Sequence, residues 1–248
     1  MILSVNDNQT MYVPKVIYKV YIEHSMTIPN PLPKPIQGVH DSWKIMNPEY
    51  TFKYYNGNDC ERYLLKHFGQ RHLKAFRKLK PYSYKCDFIR YCILYNEGGV
   101  YTDWKTMCLI PLRELVRNDT KWISNWDLVS PYMLTGFFVT PPQNPILKTT
   151  IDMCLNNIEN NIHGTTCLDP TGPALLGKAF ALHYPQYEHN KQVDENGIQL
   201  GLFQPTNIIF NDKVYLQSKG DKCGQTSDWD KGNNYSLMWM NNDIYNDI

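Results

Sequence analysis

The sequence predicts an α/β fold, a mostly parallel central sheet with helices on its faces. Three observations lead there. The first half of the chain runs strand, helix, strand, helix, helix, helix, and such alternation builds parallel sheets covered by helices. A chain of 248 residues, 42% hydrophobic and 20% charged, can bury a sizeable core and suits one large α/β domain across residues 1–248 or two small ones. The stretch 82–112 passes from an apolar helix into β-branched and aromatic residues through Gly98-Gly99, one helix-to-strand step of the pattern.

In order, residues 13–22 (V-P-K-V-I-Y-K-V-Y-I) are a β-branched, alternating run and read as the first strand. Pro29, Pro31, Pro33 and Pro35 then impose a rigid extended loop that excludes helix. A short helix over 39–46 ends at Asn47-Pro48, and a second strand covers 51–55. The turn cluster Asn56-Gly57-Asn58-Asp59 leads into helices at 59–68 and 70–79, and Pro81 breaks the chain before the central helix. Beyond residue 110, a helical turn at 111–116 precedes strands at 121–126 and 136–140. Asn144-Pro145 caps a helix running to about 158, and Pro173 opens another running to about 183. Strands at 200–203, 207–210 and 213–216, a polar loop at 228–234 and a helix at 235–245 complete the chain.

The central stretch carries the polar residues that packing explains least. In the helix, Phe88, Tyr91 and Tyr95 share one stripe and Ile89, Cys92 and Ile93 another, so most of its surface is apolar and buried. Asp87 and Arg90 stand three apart on one face, and Asp103 follows a strand. Two accounts stay open on the residues alone. Asp87 and Arg90 form a buried structural ion pair while Asp103 caps a turn, or the three converge at a strand end, where open α/β sheets bind ligands.

Composition narrows the rest. A net charge of +1 argues against nucleic acid as a partner. The 18 tyrosines and 6 tryptophans suit either sugar- and base-binding surfaces or an aromatic core. Seven cysteines with no C-x-x-C pair read as reduced thiols in a cytoplasmic or otherwise reducing compartment. No signal-peptide region and no transmembrane segment is present, so a soluble stand-alone protein or a fragment of a longer one is expected.

Residues 82–105 resemble the core of glycosyltransferase family 32, which includes the fungal initiating mannosyltransferases and capsular polysaccharide sugar transferases; the stretch is also similar to the donor site of glucosylating clostridial toxins. The family pattern is A-x-D-x-x-R-Y-x-x-L-Y-x-x-G-G-x-Y-x-D-x-D, and Asp87, Arg90, Tyr91, Leu94, Tyr95, Gly98, Gly99, Tyr101 and Asp103 fall in place. The opening strand resembles I-P-K-I-I-H-Q-I-W-I, and Thr171-Gly172-Pro173 matches a landmark near the bound sugar. The last position of the acidic motif departs, with Lys105 where the family has Asp.

The resemblance implies a GT-A-type single domain with a Rossmann-like sheet, binding a UDP- or GDP-sugar and transferring the sugar, with retention, to a glycan or other hydroxyl acceptor. It implies that Asp87 and Arg90 orient the donor sugar, that Asp103 holds the ribose, and that Tyr21 stacks on the base, with Tyr18 in the place of a family His. Gly172, Ser236 and Trp239 complete the donor set, Trp239 through its indole N–H on a phosphate oxygen. Family enzymes hold Mn²⁺ or Mg²⁺ with residues that Lys105 and Asn234 replace here, which leaves Asp103, alone or with Asp228 or Asp230, as the metal ligand. The expectation is weak or absent metal dependence, with the Lys105 ammonium at the diphosphate. The alternative is a non-catalytic nucleotide-sugar- or glycan-binding relative with a degenerate acidic motif.

Overall fold

The computed structural model describes residues 12–24, 26–218 and 232–247. Strand β1 (Val16–Val20), helix α1 (Lys34–Met46) and strand β2 (Thr51–Tyr55) open the fold, followed by helices α2 (Gly57–His67), α3 (Gln70–Lys78) and α4 (Tyr82–Glu97). Strands β3 (Gly99–Thr102), β4 (Thr106–Cys108), β5 (Trp122–Trp126) and β6 (Phe137–Thr140) come next, then helices α5 (Pro145–Glu159) and α6 (Pro173–His183). Strands β7 (Val193–Glu195), β8 (Ile198–Gln204), β9 (Asn207–Phe210) and β10 (Lys213–Ser218) and the short helix α7 (Tyr235–Met240) finish the described chain.

One sheet joins all ten strands in the order β2-β1-β3-β6-β5-β8-β9-β10-β4, with β7 on β8. Its central block is mostly parallel, as the alternation of elements predicts: β2, β1, β3, β5 and β8 share a direction and β6 alone is reversed. Beyond β8 the sheet continues as an antiparallel meander through β9 and β10 to β4. Alternation along the strands sends side chains to two cores. Tyr91, Trp122, Phe138 and Phe180 pack in the one covered by α4, α5 and α6. Trp43, Ile17, Phe137 and Phe210 pack in the one under α1. Each large side chain removed from water contributes about 2–3 kcal/mol.

Local chemistry sets the element ends. Asn56 and Asp59 cap α2 reciprocally, each side chain accepting from the other's backbone N–H. Asn144 caps α5 by accepting from Ile146 N. Two glycines make the α4-to-β3 turn, with φ of 64° at Gly98 and 105° at Gly99. A Cβ at Gly98 would stand 2.5 Å from Pro142 N, and one at Gly99 2.8 Å from Val16 O, so the turn also lets three backbones crowd together.

The structure revises two local expectations, adds a strand and leaves one segment outside the described residues. The proline segment does not stay extended: α1 begins at Lys34 and takes Pro35 into its first turn, where a missing N–H costs nothing. The closing helix stops at Met240. Strand β7 lacks the apolar run that would have announced it, because two of its three residues are exposed acids. Most of the polar loop expected at 228–234 lies outside the described residues, with Asp228 and Asp230 in that part.

Candidate functional site

Asp87 and Arg90 are one turn apart on α4 and both are buried, at 7% and 5% exposure. Nη2 of Arg90 lies 3.5 Å from Asp87 Oδ1, and Nη1 lies 3.2 Å from Asp103 Oδ1 at the end of β3. The same Nη1 donates to the carbonyl of Thr135 at 2.6 Å, and Nε donates to that of Cys86 at 2.9 Å. The guanidinium also covers the Tyr101 ring, 4.4 Å from its centroid. Asp87 accepts from the Thr171 hydroxyl at 3.0 Å. Burial pushes the Asp87 carboxyl up to about 6, even though Arg90 and Thr171 favour the charged form.

Asp103 faces outward, with its side chain 43% exposed. Its Oδ1 also accepts from the Tyr101 hydroxyl at 2.8 Å. Its backbone starts a four-residue turn closed by Thr106 N on Asp103 O at 3.2 Å, while Asp103 N donates to Gly136 O at 2.9 Å. The turn presents Trp104 and Lys105. Behind it lies Lys19, which is 0% exposed. Lys19 Nζ donates to the Asp103 carbonyl at 3.1 Å and sits 5.3 Å from the Trp43 ring centre and 5.4 Å from that of Trp104. Burial pulls its ammonium down to about 7 against the opposing pull of the Asp103 charge.

These groups border a cavity of about 710 Å³. Of the residues expected at the site, Tyr21, Asp87, Arg90, Asp103, Lys105 and Gly172 all line it. Tyr21 packs edge-on against Trp104 and donates its hydroxyl to Glu23 at 3.0 Å. A Cβ at Gly172 would meet the Leu168 carbonyl at 3.2 Å and stand at a contact distance of 3.4 Å from Asp87 Oδ2, which puts this loop directly against the helix. That loop is pinned by Asp169, whose carboxylate accepts from the backbone and hydroxyl groups of Thr165 and Thr166 and from Lys178.

Three expected donor residues fall elsewhere. Tyr18 is 1% exposed within the core against Tyr55, because its register on β1 directs it to the opposite side of the sheet from Lys19. Trp239 stacks on His163 and spends its indole N–H on the His163 carbonyl at 2.8 Å, so that donor is not offered to a phosphate. Ser236 meets Cys167 at 3.3 Å, and only Cys167 and Tyr235 of this group line the cavity.

The sequence reading passed over two charged groups, Asp127 on the cavity wall and Lys19 behind it. Asp127 stands directly after β5, as Asp103 follows β3, so an acid at the end of a parallel strand was a readable signal. Its Oδ1 accepts from Leu128 N at 2.7 Å. Lys19 sits inside a β-branched strand, and nothing in its neighbours distinguishes it from a surface lysine.

A divalent cation of the Mn²⁺ or Mg²⁺ type takes oxygen ligands in a nearly complete shell. Among the described residues the set fits it poorly, Asp228 and Asp230 lying outside them. One carboxylate oxygen of Asp103 is already engaged by Arg90 and Tyr101. Lys105 brings an ammonium to the same wall, and Asn234 uses its side-chain oxygen to cap α7 through Ser236 N and Leu237 N. Among the described residues no group of three or more His, Cys, Asp or Glu side chains could hold a metal. The six described cysteines are free thiols; the seventh, Cys223, lies outside the described residues. No described helix is long and apolar enough to cross a membrane.

Sheet order and site position define a GT-A-type α/β fold, with charged residues gathered at the ends of β3 and β5. It is the fold of the PaToxG glycosyltransferase, which superposes with a TM-score of 0.54 at 18% identity over 70% of each chain. Residues 33–125 match the family described as the glycosyltransferase sugar-binding region containing the DXD motif. An initiation-specific alpha-1,6-mannosyltransferase of Candida albicans is 32% identical over 99 residues, 39% of this chain and 24% of that protein. A glycosyltransferase of Acanthamoeba polyphaga mimivirus is 28% identical over 96 residues, 39% of this chain and 37% of that one. The alignments thus cover well under half of either relative.

Proposed function

We propose that the protein is a retaining glycosyltransferase that moves a sugar from a UDP- or GDP-sugar to a hydroxyl acceptor such as a glycan. The observation that carries this is the Asp87–Arg90–Asp103 chain of contacts on the cavity wall, within the matched segment 33–125. Arg90 ties a buried carboxylate to an exposed one. The buried one, held from behind by Thr171, offers acceptor oxygens beside the donors of Arg90, the pairing that sugar hydroxyls require. Asp103 points into the open part of the cavity, where a ribose would meet it, with Tyr21 positioned to flank the base.

In the proposed reaction the bond between the anomeric carbon and the diphosphate oxygen breaks with oxocarbenium character, and the acceptor oxygen bonds that carbon from the same face. The acceptor's proton passes to the departing phosphate oxygen, so atoms and charge balance without a protein nucleophile. Catalysis rests on holding the partners in place and on stabilising the negative charge of the leaving group. Lys105, on the cavity wall, supplies positive charge for that purpose. No step is assigned to a metal, because the ligand set fits one poorly.

The test is release of free UDP or GDP from a panel of nucleotide sugars, alone and with hydroxyl acceptors. Donor binding without turnover on any acceptor would favour the non-catalytic relative, for which the altered Asp103-Trp104-Lys105 motif is the specific observation. Absence of any nucleotide-sugar binding would overturn both.

A further inference from the structure

The turn that carries Asp103 and Trp104 into the cavity is held from behind at both ends. At its far end the Trp43 indole donates to the Thr106 carbonyl at 2.5 Å. At its near end the Asp103 carbonyl receives Lys19 Nζ at 3.1 Å, Thr106 N at 3.2 Å and the Thr102 hydroxyl at 3.5 Å. Lys19 is fully enclosed, and that carbonyl is its hydrogen-bond acceptor. Among the described residues the Trp43 and Trp104 rings also face the ammonium, one from α1 and one from the turn itself.

A buried ammonium is costly, and one hydrogen bond to a neutral carbonyl with two aromatic faces offsets that cost only in part. An apolar side chain of similar length would serve packing as well or better. What the ammonium adds is direction: it draws the Asp103 carbonyl inward and holds the Trp104 ring over it, which orients the outward side chain of Asp103.

We propose that Lys19 is a positioning residue, a charged clamp that fixes the Asp103–Thr106 turn so that Asp103 and Trp104 stand ready on the cavity wall. It touches no substrate and acts through the backbone of Asp103. The consequence for ligand binding rests on the donor-site reading above; the clamp itself does not.

Hydrogen exchange on the ligand-free protein tests the clamp directly. In Lys19→Met, which keeps the aliphatic stem and removes the charge, the amides of residues 103–106 should exchange at least ~10-fold faster, while those of α4 and β1 keep wild-type rates. Lys19→Gln, which retains a donor, should recover part of the protection and serves as the comparison if the methionine variant does not fold. The second measurement is calorimetric binding of UDP and GDP. Lys19→Met should weaken the nucleotide that wild type binds by ~10-fold or more, and in an Asp103→Ala background the same change should add little, since both act through one residue. Unchanged exchange in the turn, or faster exchange spread evenly over the sheet, overturns the clamp whatever the ligand. Full additivity with Asp103→Ala also overturns it. A wild-type protein that binds neither nucleotide overturns the donor reading and leaves the exchange result to decide the clamp.

Discussion

Arg90 and Tyr101 act on one oxygen atom. The guanidinium lies over the tyrosine ring, 4.4 Å from its centre, and both residues donate to Asp103 Oδ1, at 3.2 Å and 2.8 Å. One carboxylate oxygen is thereby immobilised from the helix and from the strand, which leaves the other for a ligand. Asp103→Ala should retain the fold and lose at least ~10²-fold in transfer rate, the scale of a lost positioned electrostatic contact. Tyr101→Phe keeps the ring under Arg90 and removes one charge-assisted hydrogen bond, so a ~10-fold loss is expected. Initial rates on purified, folded variants check both, and an Asp103→Ala enzyme with wild-type turnover would remove Asp103 from the site.

Asp87 gives the site a pH dependence of defined sign. Its carboxyl sits at about 6 in the fold, above the ordinary value of 3.8. Its contribution to stability is therefore full below about pH 4 and is lost as pH rises through about 6. Asp87→Asn should gain melting temperature relative to wild type across that window. If the ionised carboxylate orients the sugar, wild-type affinity for a nucleotide sugar should fall as pH drops below about 6, and affinity for the bare nucleotide should not. Calorimetry at pH 5 and pH 8 reads the difference, and a parallel fall for both ligands would count against the role.

Metal dependence is the third test. With Lys105 on the cavity wall and the Asn234 side-chain oxygen committed to a helix cap, transfer activity should survive EDTA with less than ~10-fold loss. Lys105→Ala should cost more than EDTA does. Complete loss in EDTA, full rescue by Mn²⁺ and an unaffected Lys105→Ala enzyme would together sink the ammonium reading.

The loop under the cavity should fail in acid through Asp169. Burial alone would raise its carboxyl, but Lys178 and the Thr165 and Thr166 donors outweigh burial and bring it down to about 2. The stabilisation is present above about pH 4 and is lost as pH falls through about 2; it amounts to about 2 kcal/mol at neutral pH. Asp169→Asn should lower the melting temperature at pH 7 and lose most of that deficit near pH 2. A deficit independent of pH would show that the hydrogen bonds, and not the charge, hold the loop.

Much of this was legible in the chain. The helix–Gly-Gly–strand unit announced itself because each of its residues obeys a local rule: an apolar periodicity, positive φ at two glycines, a β-branched run. Asp87, Arg90 and Asp103 stood out against that background. What escaped was set by distant contacts. Tyr18 and Tyr21 look equivalent in sequence, and only the register of β1 sends one to the core and the other to the cavity. The indole N–H of Trp239 goes to the His163 carbonyl, 76 residues away, a partner that no local pattern announces. Lys19 could not be recognised without the two tryptophans that enclose it.

The cavity has two walls of different chain origin. Residues 82–105 build one of them, inside the matched segment 33–125; residues 127–136 and 167–173, beyond that segment, build much of the other. The two walls are tied at three points: Arg90 donates to the Thr135 carbonyl, Asp103 N donates to that of Gly136, and the Thr171 hydroxyl donates to Asp87. Leu128 and Val129, exposed at 57% and 53%, sit on a part of the second wall that makes none of these three contacts. Exchanging residues 127–129 therefore reshapes one side of the cavity and leaves the Asp87–Arg90–Asp103 cluster with its Thr135 and Thr171 partners in place.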